Sequence, residues 1–249
     1  MNPLVLFYRI FLYQPLLNLL IFLYNLKYVD FGIAIIILTI IVKVLTLRLD
    51  THALLKQKES QIKGAEIQKE MKEIQEKYKD DPQRQAEELR ALFKEKGFNP
   101  FSSFLPMVIQ IIIIIALFQI FRHPITQNQL TLLYSFVKNP GTINYLFLRT
   151  IDLSKPNSVL AVLVALIQFF YSKTLFSYQR KFQKKAKLKK KKEEGAQEKF
   201  QKVMQNQMIY GFPIITFLVC LTLPSALPLF WGLSTLIGFL EVKFTYKKN

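Results

Sequence analysis

The chain has few of the residues from which disulfide frameworks and active sites are built. Its 249 residues include one cysteine, Cys220, and two histidines, His52 and His123. A single cysteine cannot form a disulfide within the chain, and a cysteine or histidine metal site needs several such ligands. The sequence also lacks a Ser-His-Asp grouping, a Walker loop and a GxGxxG motif. We therefore expect neither an enzyme activity nor a cofactor.

Acidic residues are scarce too, with 17 Asp and Glu against 34 Lys and Arg, which gives a formal net charge of +17. A nucleic-acid-binding domain would carry such charge on one face of a soluble fold, but here the basic residues lie between apolar runs. The sequence is 51% hydrophobic, with a mean hydropathy of +0.21. About four runs approach or reach the ~17–25 apolar residues that a bilayer span needs. The pattern indicates a polytopic membrane protein.

The alternation of apolar and charged runs predicts an all-α polytopic membrane protein with five transmembrane helices. The predicted segments are an N-terminal interfacial amphipathic helix at 1–30, transmembrane helices at 31–49, 105–122, 158–176, 209–223 and 227–242, a cytoplasmic helical hairpin at 50–104, an extracytoplasmic loop at 123–157, a basic cytoplasmic loop at 177–208 and a cytoplasmic tail at 243–249. A first span or uncleaved signal anchor is the alternative for the N-terminal segment, because Phe and Leu are dense there.

The distribution of Lys and Arg predicts the orientation. Residues 50–104 and 176–208 hold 11 each and the tail holds three, against three in 123–157. The positive-inside rule therefore places both charged loops and the C-terminus in the cytoplasm and the N-terminus outside. Within the first charged loop, Lys79-Asp80-Asp81-Pro82 predicts a helix break and Gly97 a helix stop.

The last apolar run, Ile209–Leu240, has 32 residues without charge. That is too long for one span and enough for two short ones, with Pro224 and Pro228 bracketing the reversal. Two spans of only about 14–16 residues predict a locally thin bilayer around them.

Lys43 lies inside the first predicted span, where a lysine costs about 2.5–3.5 kcal/mol on insertion scales. We expect no Asp or Glu inside a predicted span to pair with it. One interpretation is that its stem snorkels to the nearby cytoplasmic end. The other is that Lys43 lines a hydrated cavity open to the cytoplasm, where it attracts acidic or polar segments.

Three further polar residues, Gln110, Gln168 and Ser172, interrupt apolar spans. Gln168 and Ser172 stand four apart on one helix face. Hydrogen bonding between helices is the simpler interpretation for all three, and lining the same cavity is the other. Trp231, near the outer end of the last span, is typical of an interface anchor.

The order of motifs resembles the YidC/Oxa/Alb family of membrane protein insertases from Pro15 to Glu241. The matching features are the first span FGIAIIILTIIVKVLTLRL, the Lys77-Tyr78-Lys79-Asp80 turn, Gly97-x-Asn99-Pro100 followed by Pro106 and Gln110, Pro224-Ser225 with Trp231, and Gln14-Pro15-Leu16 in the interfacial helix. The resemblance implies five spans around a hydrophilic groove, closed outside and open to cytoplasm and lipid, with a mobile hairpin over its mouth.

The implied substrate-groove residues are Lys43, Arg48, Gln110, Gln168, Ser172 and Trp231. The family usually has arginine where Lys43 stands, so the charge is kept while the bidentate fork is lost. Ser172 stands where glutamine is usual, with Gln168 one turn earlier, and Arg48 replaces a common proline as a second cation at the groove mouth.

The resemblance implies a bacterial inner-membrane insertase that moves no covalent bonds and takes nascent membrane proteins as clients. A client's apolar segment slides along the lipid-facing side of the third and last spans while its polar tail enters the groove. The ribosome, its RNA, the Sec translocon and anionic lipids are further candidate partners for the basic segment Arg180–Lys202, which positive-inside topology alone also explains. The alternatives are a small membrane scaffold or assembly factor and an anion transporter.

Overall fold

The computed structural model describes residues 3–99, 105–121, 125–187 and 203–248, and these are mostly helical. The elements, in chain order, are α1 (Pro3–Tyr8), a π-helical turn (Arg9–Tyr13), α2 (Gln14–Tyr24), α3 (Phe31–Glu66), α4 (Gln68–Lys77), α5 (Pro82–Glu95), α6 (Leu105–Phe121), α7 (Gln127–Leu130), β1 (Leu146–Phe147), β2 (Ile151–Asp152), α8 (Ser158–Lys187), α9 (Val203–Cys220, with a π-helical turn at Gln207–Gly211) and α10 (Ala226–Lys248). The all-α polytopic architecture is confirmed.

Helix α3 is the longest element and forms both the first predicted span and the start of the charged region. It begins after Asp30, whose Oδ1 accepts a hydrogen bond from the Ile33 backbone N–H at 2.8 Å, as an N-cap residue does. The helix continues through the charged residues to Glu66, 36 residues in all. The sequence predicted a segment boundary after residue 49, but no helix break lies there. The position at which α3 leaves the membrane, after residue 49, stays a prediction.

The helical hairpin expected after the first span has its predicted turn. Helices α4 and α5 pack on each other, and the chain reverses between Lys77 and Pro82. The Asp81 carboxylate caps α5 by accepting from the Arg84 backbone N–H at 3.0 Å. Glu95 ends α5, and Gly97 adopts a φ of 58° that a residue with a side chain rarely adopts. Helix α4 thus ends before Lys79-Asp80-Asp81-Pro82, and α5 ends two residues before Gly97.

The last two helices are longer than the uncharged run predicted. Helix α9 has 18 residues and α10 has 23, so at 1.5 Å per residue they span about 27 and 34 Å. Both helices continue through polar and charged residues beyond Ile209–Leu240. The membrane-crossing length of about 14–16 residues, and with it the locally thin bilayer, stays a prediction.

The N-terminal helix is part of the protein core. Leu17, Leu20 and Ile21 are fully buried, and α2 packs against α3. Within the described residues, five helical stretches are long and apolar enough to cross a membrane: Leu6–Tyr24, Phe31–Glu66, Ser158–Phe182, Val203–Cys220 and Ala226–Lys247. The first of these is the segment predicted to lie in the interface, so its length and composition also fit the alternative of a first span.

Residues 125–157 pack over one end of the helices, and we call this loop, together with the helix-end residues Asn18 and Ser225 that it contacts, the loop end. The two buried polar side chains Asn18 and Ser225 are paired with it. Asn18 of α2 is 2% exposed; its Nδ2 donates to the Leu132 carbonyl at 3.1 Å, and its Oδ1 accepts from the Tyr134 backbone N–H at 2.6 Å. Ser225, just before α10, donates through Oγ to the Lys155 carbonyl at 2.5 Å. These bonds tie the loop to α2 and α10.

A two-stranded antiparallel hairpin, β1 with β2, completes the loop end. The Phe147 ring of β1 packs directly on Gly32 of α3, where any side chain would overlap the ring. The Leu148 backbone N–H donates to the second carboxylate oxygen of Asp30 at 3.0 Å. Asp30 thus caps α3 and holds the hairpin at the same time.

Candidate functional site

A group of polar side chains lies between α3, α8 and α10, and we call it the polar cluster: Lys43, Thr46 and Asp50 of α3, Tyr171 of α8 and Glu241 of α10. Lys43 Nζ is 3.0 Å from Asp50 Oδ2, and the two side chains are only 12% and 15% exposed. Thr46 Oγ1 donates to the same carboxylate oxygen at 3.1 Å. The spacings of three, four and seven residues place all three on one helix face.

Glu241 approaches this ion pair from α10. Its side chain lies within electrostatic range of Lys43 and Asp50, and Tyr171 lies within range of both carboxylates. Glu241 is 9% exposed, and its Oε1 has no hydrogen-bond partner among the described residues. A buried carboxylate oxygen without a donor costs free energy, because it has lost its water without a replacement.

The expectation that Lys43 has no acidic partner is therefore wrong. Asp50 was placed just beyond the predicted span and was not considered as a partner. Because α3 continues past residue 49, Asp50 stays on the Lys43 face two turns away. Glu241 lies inside the predicted last span and was missed because it ends the apolar run. Spacing along α3 could have found Asp50, whereas Glu241 depends on how α10 packs against α3 and α8.

Gln168 and Ser172 are brought together as predicted. Both are 4% exposed, and Gln168 Nε2 donates to Ser172 Oγ at 3.1 Å. This bond lies within α8 and does not join two helices, so the simpler interpretation of interhelical hydrogen bonding is not what the structure shows for this pair. Ser172 follows directly after Tyr171 of the polar cluster.

Two other predicted site residues, Arg48 and Trp231, are not brought to this cluster. Arg48 is exposed on α3. Gln110 lies in the first third of α6, where side chains are outside the described part of the structure. Trp231 lines an apolar cavity of about 270 Å³ between α6 and the ends of α9 and α10. The cavity is formed by Ile114, Ile115, Phe118, Val219, Leu223, Leu227, Phe230 and Trp231.

Packing next to the polar cluster fixes α10 against α3. Leu54, Val242 and Tyr246 form a buried group, and the Tyr246 hydroxyl donates to the Leu54 carbonyl at 3.0 Å. Val242 follows Glu241 directly and is 1% exposed, so the backbone at Glu241 is held in place. In the described ranges, no group of three or more His, Cys, Asp or Glu residues could hold a metal ion.

Comparison with known proteins identifies the family. The profile of the family described as 60Kd inner membrane protein matches residues 22–249. The chain belongs to this family. It is 31% identical to the membrane protein insertase YidC of Fusobacterium nucleatum over 242 residues, 96% of this chain and 98% of the relative.

Two further 60Kd inner membrane protein relatives match over shorter stretches. The membrane protein insertase YidC of Clostridium tetani is 30% identical over 57% of this chain and 56% of its own length. That of Alkalihalophilus pseudofirmus is 28% identical over 66% of this chain and 51% of its own length. The resemblance to the YidC/Oxa/Alb family is confirmed, and with its apolar helices the chain is a multi-pass protein of the bacterial inner membrane.

Proposed function

We propose that this chain is a membrane protein insertase whose polar cluster lines a hydrophilic groove for the polar tail of a nascent client. The family match and the relatives named as insertases support the insertase role. The observation that carries the groove is the Lys43–Asp50 pair, 12% and 15% exposed within an apolar helix bundle. Buried ion pairs contribute little to stability, because desolvation offsets their attraction. Their retention here favours a role in handling clients.

The proposed mechanism uses partitioning and no covalent chemistry. A client's apolar segment moves along the lipid-facing side of α8 and α10, while its short polar tail enters the groove near Lys43, Gln110 and Gln168. The polar groups replace part of the water that the tail leaves behind, which lowers the barrier to transfer. The apolar segment then enters lipid, and the favourable transfer of apolar surface drives release.

We further propose a membrane orientation for this chain and additional binding partners. Positive-inside topology places the α4–α5 hairpin, the basic segment 177–208 and the C-terminus in the cytoplasm and the N-terminus outside. Nascent membrane proteins are the clients. The basic segment is the proposed contact for anionic lipids or ribosomal RNA, and the Sec translocon is a further proposed partner.

The alternatives differ in what they require of Lys43. An anion transporter needs an available cation at its binding site. Lys43 is paired with Asp50 at 3.0 Å and is therefore not available to bind an anion. A scaffold or assembly factor needs no charge in the groove and tolerates the loss of Lys43.

Insertion of a single-span, short-tailed client into proteoliposomes that contain only this protein tests the proposal, with protease protection as the measurement. We expect Lys43→Ala to reduce insertion by at least about tenfold and Lys43→Arg to retain it, because alanine removes the cation of the proposed groove whereas arginine keeps it. Lys243→Ala removes an exposed charge from α10 and is the matched control. Insertion by wild type no better than empty liposomes contradicts the insertase; normal insertion by Lys43→Ala favours the scaffold.

A further inference from the structure

The carboxylate that pairs with Lys43 comes from its own helix. Lys43 and Asp50 both belong to α3, where they stand seven residues apart. Side chains that pair locally on a helix stand three or four residues apart, so Lys43 extends along α3 to bring its Nζ within 3.0 Å of Asp50 Oδ2. In the described part of the chain, no other carboxylate forms an ion pair with Lys43. Asp50 is therefore an internal counterion for this lysine.

Thr46 holds the Asp50 carboxylate in this position. Its Oγ1 donates at 3.1 Å to Asp50 Oδ2, the same oxygen that faces Lys43. All three residues lie on α3, so their contacts join no two elements of the fold and do not fix the packing of α3 on α8 or α10. A lysine without a partner in apolar surroundings is costly. The internal pair removes that cost while no client is bound.

We propose that Asp50 occupies Lys43 in place of a client carboxylate and is a specificity-determining residue of the groove. This inference rests on the proposed insertase function. A free anion has to displace a carboxylate that is held beside Lys43 on the same helix, and it competes poorly. A client whose apolar segment already lies against the helices holds its tail near Lys43 at a roughly millimolar effective concentration. An acidic residue in that tail therefore displaces Asp50, whereas a free anion does not.

Two clients identical except for one tail residue, Glu or Gln, test this proposal. Insertion into proteoliposomes is measured for each client at a concentration that does not saturate the protein. The internal pair lowers the apparent affinity for a competing carboxylate in proportion to the time that Lys43 is free. We expect the Glu-to-Gln insertion ratio to be about fivefold higher in Asp50→Asn than in wild type, a factor that corresponds to about 1 kcal/mol. An unchanged or lower ratio overturns the inference.

Three further variants show whether the Asp50 charge itself is responsible. Asp50→Glu keeps the carboxylate, and we expect its ratio to stay near the wild-type value. Thr46→Val removes the hydroxyl that holds Asp50 but keeps both charges, and its ratio rises by about twofold. Glu87→Gln removes an exposed carboxylate of α5, and its ratio does not change. A rise in Asp50→Glu or in Glu87→Gln as large as that in Asp50→Asn contradicts the assignment of Asp50.

A soluble peptide with the Glu tail but without the apolar segment gives a second measurement. It competes for Lys43 as a free anion does. We expect it to inhibit insertion of the Glu-tailed client by Asp50→Asn at an about fivefold lower concentration than insertion by wild type, because the variant has no internal carboxylate to displace. The same peptide with Gln is the control. Equal inhibition of wild type and Asp50→Asn contradicts the exclusion of free anions by Asp50.

The Gln-tailed client separates failure of this inference from failure of the insertase. If neither wild type nor any variant inserts it above empty liposomes, the proposed function has failed. If wild type and Asp50→Asn both insert it but the Glu-to-Gln ratio is the same, only the role of Asp50 has failed. Loss of one partner of a buried pair is destabilising, and insertion of this client also shows whether Asp50→Asn is folded. If that variant is not folded, the ratio in Thr46→Val decides, and a ratio equal to that of wild type overturns the inference.

Discussion

The loop end and the polar cluster both place polar groups among buried apolar side chains, but they differ in how completely those groups are hydrogen-bonded. At the loop end, Asn18 uses both its amide nitrogen and its oxygen, and Ser225 has a partner for its hydroxyl. In and beside the polar cluster, Glu241 and Ser234 each keep an atom that has no partner in the described part of the chain. Satisfied groups fix a structure, whereas unsatisfied ones reduce stability and persist where function needs them.

This difference predicts that removing a polar group changes the free energy of unfolding in opposite directions in the two regions. A polar side chain removed from the loop end leaves backbone groups without partners and destabilises the fold. A charge removed from Glu241 leaves nothing unpaired that was paired before.

Asn18→Ala is expected to give the largest loss of stability. It removes the acceptor for the Tyr134 backbone N–H and one of the two donors to the Leu132 carbonyl, the other being Gln14 Nε2 at 2.9 Å, at a site that is 2% exposed. The buried N–H left unpaired costs about 1–3 kcal/mol and the lost second bond adds to this, so we expect a loss of about 2–4 kcal/mol. Thermal unfolding in detergent micelles measures it. Asn25→Ala removes one exposed hydrogen bond to Lys138 and is the control; equal losses for both contradict the idea that burial makes the loop end rigid.

Gly32→Ala tests the close approach of β1 to α3. A methyl group at this position overlaps the Phe147 ring, and overpacking of this kind costs about 1–3 kcal/mol. Gly211→Ala makes the same chemical change in α9, where nothing lies within 4 Å of the added carbon. Because alanine favours helix over glycine, we expect Gly211→Ala to be neutral or slightly stabilising. The same unfolding assay compares them, and a Gly32→Ala protein as stable as wild type would show that the hairpin is not packed on α3.

Glu241→Gln is expected to stabilise the protein by about 1 kcal/mol, because it replaces a buried carboxylate that lacks a donor with an uncharged amide of the same shape. Its melting temperature in micelles should rise, whereas that of Glu87→Gln should not change. A gain in stability on removal of the charge is the trade-off expected of a functional residue. A lower melting temperature would mean that Glu241 belongs with the satisfied groups of the loop end.

Much of the fold follows from the sequence because it depends on local patterns. Apolar runs gave the helices, Pro82 and Gly97 gave the bounds of α5, and Pro224 marked the turn before α10. Helices α3, α9 and α10 extend beyond the predicted spans, because a helix continues wherever polar or charged residues also favour it, and the edge of an apolar run does not end it.

The site was predictable only in part. Lys43 stood out because a charge inside an apolar run is costly wherever it packs, and the Gln168–Ser172 pair followed from helical spacing. Glu241 became visible only when α10 was placed beside α3 and α8, since its meaning depends on which carboxylate and which cation it faces. Trp231 was grouped with the groove by resemblance, yet the structure gives it an apolar cavity. Contacts between segments that are distant in the chain cannot be predicted from a single sequence.

The smallest expected effect concerns Asp152, a loop-end carboxylate that has donors where Glu241 has none. The Ser154 hydroxyl donates to Asp152 Oδ1 at 2.6 Å and the Ser154 backbone N–H at 3.0 Å, while Lys155 lies 3.2 Å from the other oxygen. These groups, the Ser154 hydroxyl first, lower the pKa of Asp152 below its ordinary value of 3.8. A lowered pKa in the folded state stabilises the turn above pH 3.8, and the stabilisation is lost as the pH falls through the lowered pKa.

We therefore expect hydrogen exchange at the Ser154 amide, corrected for the intrinsic rate, to be slower at pH 6 than at pH 3. Asp152→Asn keeps an acceptor but removes the titration, and its corrected exchange should not change between these two pH values. Because Asp152 is partly exposed, solvent screens much of the interaction and the change in protection is small. If Asp152→Asn shows the same pH dependence as wild type, another group controls the turn, and charged donors at the loop end are not what distinguishes it from the polar cluster.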